Sequence, residues 1–218
     1  MGPARPAQPS YSLDSLSVPI ETPLERLTMT VLILGLILFL GTHSVSVVAP
    51  AWRDAMHARL GEGPWKGLYS VASAVGFVLI VIGYGLARQQ PVALYTPPLW
   101  LRHLALLLLV PVFPLLMAVY LPGRIKSAAR HPMLLATKLW AVAHLLANGT
   151  AADVLLFGGF LAWAVADRIS LKHRAQRALP GARPSPFNDA IAVLGGLALY
   201  ALFLLRAHAW LFGVSPLG

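Results

Sequence analysis

The chain has 218 residues, of which 57% are hydrophobic and only 11% charged, with a mean hydropathy of +0.69 and a formal net charge of +9. A soluble domain carries about 25% charged residues, so the composition excludes an ordinary soluble fold and points to a membrane protein. With no cysteine, disulfides, thiolate metal sites and cysteine nucleophiles are all excluded.

Residues 1–26 are proline-rich and hold no apolar run, and they read as a disordered tail without the cleavage pattern of a secretory signal. Met29 opens the hydrophobic part of the chain and is a second candidate start. From residue 27 onward the apolar residues fall in blocks of about 18–22, long enough to cross ~30 Å of hydrocarbon. The first covers 27–48 and stops before Pro50, and a polar loop, 49–67, leads to a second over 68–87. There Ser73, Gly76, Gly83 and Ala87 share one narrow stripe, the small-residue face that close packing in a membrane requires. A proline-rich link precedes a third block, 99–120, whose Pro111 and Pro114 predict a kink.

The fourth block, 132–147, opens with Pro132 at the first helical position, where a missing N–H costs nothing. Asn148-Gly149 turns the chain into a fifth, 151–167, in which Gly158, Ala162 and Ala166 recur every fourth position. Segments joined by so short a loop must be antiparallel neighbours. After a basic loop, 168–188, the last block spans 189–206, with His208 and Trp210 just beyond it. The expected fold is all-α: a polytopic transmembrane bundle of about six spans, forming a single domain over 27–218.

Orientation follows from the basic residues. The loops after the first, third and fifth blocks hold eleven Lys and Arg, from Arg53 to Arg183, and the other side holds five. The positive-inside rule places those loops in the cytoplasm and both termini outside. The net charge is thus a topology signal of a chain whose partner is the lipid bilayer, and nucleic-acid binding is not expected.

Ionisable groups at membrane depth carry the functional information, since each needs a partner or a role there. Of seven histidines, His57, His173 and His208 fall in loops or past the last block, and His131 lies at a helix mouth. His43, His103 and His144 lie inside predicted spans. Imidazole is a common ligand of haem iron. Met133, Thr137, Trp140 and His144 lie within about 40° on one helix, an apolar stripe with a polar tip, and Leu32, Leu36, Phe39 and His43 form a similar one. Lys138 points elsewhere and either snorkels to the surface or pairs with a carboxylate such as Asp167. No H-E-x-x-H run, catalytic triad or Gly-rich phosphate loop is present. Depth alone would pair His103 with His144, with Arg102 at hand for a propionate.

Five stretches resemble the NnrU family of bacterial membrane proteins: LGLILFLGTHS (34–44), WKGLYSVASAVGFVLIVIGYGLAR (65–88), PPLWLRHLALLLL (97–109), LPGRIKSAARHPMLLATKLWAVAHLLANG (121–149) and LLFGGFLAWAVADRISLKHR (155–174). Together they cover about residues 30–175. The resemblance implies an inner-membrane protein linked to denitrification, with a nitrite or nitric oxide reductase, or an electron donor, as partner. An assembly factor for such a reductase, without catalysis of its own, fits it equally. The family is also similar to the 15-cis-ζ-carotene isomerases, membrane haem b enzymes that isomerise a polyene. Their two haem ligands match His43 and His144, which the resemblance therefore implies as ligands of haem b; Trp140 shares the stripe of the second, and His103 stands in reserve on depth alone. Where those isomerases carry a cysteine three residues before the second histidine, this chain has Ala141.

Overall fold

The computed structural model describes residues 23–174 and 180–217. Most of the expected tail and residues 175–179 of the last basic loop lie outside that range. Ten α-helices are described: α1 (Pro23–Val48), α2 (Pro50–Leu60), α3 (Glu62–Ala87), α4 (Leu99–Leu109), α5 (Val112–Ala118), α6 (Arg124–Ala129), α7 (Pro132–Ala147), α8 (Ala151–Ser170), α9 (Asn188–Leu202) and α10 (His208–Phe212). The described residues contain no strand, only a β-bridge between Ala93 and Thr150. The all-α expectation therefore holds.

Four of the described spans are long and apolar enough to cross a membrane: Leu27–Val48, Glu62–Ala87, Leu99–Ala118 and Asn188–Phe212. The other two expected spans differ from these for identifiable reasons. Helix α7 has 16 residues, about 24 Å of helix, and α8 carries Asp153, Asp167 and Arg168. Both are nonetheless central. The helices form a row in which α3 packs on α1, α1 on α8, α8 on α7, α7 on α4 and α5, and α5 on α9. The end members α3 and α9 turn Val71, Val78, Ile82, Leu194 and Leu199 outward, the apolar surface that a bilayer covers.

The α1–α3 seam is set by glycine. A Cβ on Gly76 would stand 2.7 Å from the backbone nitrogen of Phe39, and one on Gly35 would stand 2.6 Å from that of Ile80. Gly83 meets Leu32 in the same way, so the predicted stripe on the second span is the face that packs. The stripe on the fifth span is not. Gly158 faces open space and Ala162 and Ala166 are exposed, whereas Ala152, Leu156 and Ala164 are buried.

Two other boundaries depart from expectation, and the kink expected in the third span holds. The polar loop 49–67 is mostly helix: Pro50 opens α2 at its first turn, and Gly61, at φ 84° and ψ 166°, breaks it from α3 in a region that only glycine occupies readily. The predicted kink falls at Val110-Pro111, between α4 and α5. The last span runs past residue 206 through a π-helical turn, Phe203–Ala207, into α10, so His208 and Trp210 are helical.

Candidate functional site

His43 lies near the end of α1 that adjoins α2 and the basic loops. Its Nδ1 is 2.7 Å from the carbonyl of Phe39. On α7, the Nδ1 of His144 is likewise 2.8 Å from the carbonyl of Trp140. A carbonyl only accepts, so in both rings Nδ1 carries the proton and donates it, leaving the Nε2 lone pair outward. Neither Nε2 has a hydrogen-bond partner among the described residues. A ring pinned through one nitrogen, with the other free, is the form in which imidazole ligates metal.

The two rings have different aromatic neighbours. His43 packs on Phe39 (ring centroids 4.3 Å apart), Tyr69 (5.3 Å) and Trp163 (6.1 Å). His144 stacks on Phe157 at 4.5 Å and lies 5.2 Å from Trp140. Aromatic contacts link the two groups, with Phe39 5.7 Å from Phe160 and Phe160 5.5 Å from Trp140. The partners Phe157 and Trp163 are six positions apart on α8, a rise of about 9 Å. Two nitrogens bonded to one metal ion at about 2 Å each are only about 4 Å apart. Each donor suits iron by its tautomer, and the two are seated against side chains six positions apart on α8. No three His, Asp or Glu side chains gather as a metal-binding group among the described residues.

Around His43 the packing leaves polar atoms unsatisfied. Trp163 Nε1 and Ser73 Oγ are buried without a hydrogen-bond partner. The register that seats Gly83 on Leu32 and Gly76 on Phe39 brings Ser73 level with Thr42 and His43. Below Tyr69 a cleft of about 340 Å³ opens among Ser46, Arg53, His57, Trp65, Lys66 and Ser70. The remaining expected residues sit apart. Arg102 and His103 are exposed near the start of α4 and have no polar partner among the described residues, so the structure assembles neither the His103–His144 pair nor a propionate clamp. Asp167 pairs with Arg174 rather than with Lys138, which removes one of the two roles open to that lysine.

One buried group was not singled out by the sequence. Asp153 is 4% exposed. One carboxylate oxygen accepts from the Thr150 backbone N–H (2.9 Å) and hydroxyl (2.6 Å), and the other accepts from the Tyr84 hydroxyl at 2.6 Å. The signal was present as Thr-x-x-Asp ahead of an apolar run, a capping box. The same end of α7 is closed by the extended link. Leu94 and Tyr95 donate their N–H groups to the Gly149 carbonyl at 2.8 and 3.1 Å. The Tyr95 hydroxyl donates to the carbonyls of Leu145 and Asn148. A side chain on Gly149 would strike the Tyr95 carbonyl.

No curated protein and no solved structure matches the chain. The sequence model of one family, described as NnrU protein, matches residues 31–216 and so extends well past the stretches that carry the resemblance. The chain belongs to the NnrU family, as a multi-pass membrane protein of helical-bundle architecture.

Proposed function

We propose that this protein serves nitrite or nitric oxide reduction from within the inner membrane, using haem b held by His43 and His144 as imidazole donors. The observation that supports the reading is the shared tautomer of the two rings, each back-bonded through Nδ1 with Nε2 unpartnered. Bound haem would supply one-electron or gas-binding chemistry. The chain's own part is to hold the two rings, exclude water with the Phe39–Phe160–Trp140 layer, and offer Trp163 Nε1–H and Ser73 Oγ as hydrogen-bonding groups near His43.

A second reading, an assembly factor for a nitrite or nitric oxide reductase, draws support from the aromatic packing around both histidines. A polyene isomerase with a thiolate step is the weakest of the three, because Ala141 is fully buried in the core where that thiolate would stand. Deletion in a denitrifying host separates the first two. The haem reading predicts that wild-type protein restores nitrite consumption and that His43→Ala and His144→Ala, at equal membrane abundance, do not. Full rescue by both variants would leave the assembly role and remove the haem role.

A further inference from the structure

We propose that the cleft where α6, α7 and α8 meet on the basic face binds a phosphate group, presented by the headgroup of an anionic phospholipid. The cleft measures about 630 Å³ and is lined by Lys126, Ser127, Arg130, His131, Arg168, Leu171 and Lys172. Lys126 and Arg130 stand four positions apart on one wall, and Arg168 and Lys172 stand four apart on the other. Four like charges thus line one space, where they repel one another.

None of the four forms a salt bridge among the described residues, although Asp189 accepts from the N–H groups of Arg124 and Ile125 at the start of α6. Asp167, the acidic group nearest His131, is taken by Arg174. Lys126 donates to the carbonyl of Val119 at 2.7 Å, a contact that holds the ammonium without cancelling its charge. The positive-inside rule explains why basic residues lie in these loops. It does not require that they converge on one concavity, where their mutual repulsion calls for a bound anion.

Two further features favour phosphate. Helix α7 starts beside this cleft with no side-chain cap from His131, so the positive end of its dipole adds to the cationic side chains. Arg130, whose guanidinium suits phosphate oxygens, is held at φ 58°, a conformation rare for a side-chain-bearing residue and typical of functional sites. The lipid is favoured over a soluble phosphate because the cleft lies where α7 begins and α8 ends in a chain of membrane-spanning helices, with apolar Leu171 in its wall.

The test uses the full chain purified in detergent, with phosphatidylglycerol, phosphatidylcholine or inorganic phosphate added, and reads retained lipid by native mass spectrometry and thermal stability in parallel. Phosphatidylglycerol should be retained and stabilising, and phosphatidylcholine neither. Arg168→Gln and Lys172→Gln should each weaken retention about fivefold, as should Arg130→Gln if its backbone tolerates the change. Arg59→Gln, an exposed basic position on α2, should leave it unchanged. Equal retention of the two lipids, or an equal loss in Arg59→Gln, would overturn the site. Stabilisation by inorganic phosphate with none from phosphatidylglycerol would overturn the lipid assignment.

Discussion

Asp153 shows how one residue ties three segments. Its carboxylate is buried, caps α8 through Thr150 and receives the Tyr84 hydroxyl from α3. Tyr84→Phe would leave one oxygen of a buried carboxylate unpartnered, at a cost of about 1–3 kcal/mol. Thermal unfolding in detergent should show that loss, and an unchanged midpoint would mean that the bond contributes nothing. His131 makes a different point. Burial, then the charges of Arg168, Arg130 and Arg174, hold its imidazole below the usual value of 6.5, with only Asp167 opposing; Lys126 and Lys172 also line its cleft. The unfolded chain therefore binds the proton more readily, and stability that is full above pH 6.5 falls as the pH drops toward the depressed value. His131→Gln should flatten the stability profile below pH 6.5, and an unaltered slope would contradict the assignment.

The clearest consequences for helix packing lie in the two small-residue stripes. Gly76→Ala forces α1 and α3 apart, because the new Cβ would lie 2.7 Å from backbone, whereas at Gly158 the space is open. Gly158→Ala should be neutral or stabilising by up to about 1 kcal/mol through helix propensity, and Gly76→Ala should lower the melting temperature. Equal behaviour of the two would mean that the seam is not set by glycine. The contrast also marks how far the sequence could be read. Both stripes have the same spacing, and only the partner helix decides which one packs. The bounds of α7 were legible because Pro132 and Asn148-Gly149 punctuate them. Helix α2 was missed despite Pro50 and Gly61, because its charged residues disguise a helix that lies beside α1 and α3 with no buried residue.

For the whole molecule, the row of helices places the basic loops on one face and the capped ends of α3, α7 and α10 on the other, where Arg88 donates to the carbonyl of Phe212 at 2.9 Å. The account expects the basic face in the cytoplasm. An alkaline phosphatase fusion after Phe212 should be active and one in the α6–α7 connection inactive; the reverse pattern would invert the topology. The candidate site was only half legible. That His43 and His144 carry the donors could be argued from depth and resemblance. Their seating could not, because it depends on α8, whose Phe157, Phe160 and Trp163 pack against residues of α1 and α7.

The most direct measurement of the central claim is the absorption spectrum of the detergent-purified protein after haem-supplemented expression, beside His43→Ala, His144→Ala and His103→Ala. The account predicts a Soret band in the wild type that His103→Ala preserves. It also predicts that His43→Ala and His144→Ala each diminish the band, in part if the donors serve separate haems and wholly if they share one iron. A wild-type protein without a Soret band, or one whose band survives both substitutions combined, would contradict it.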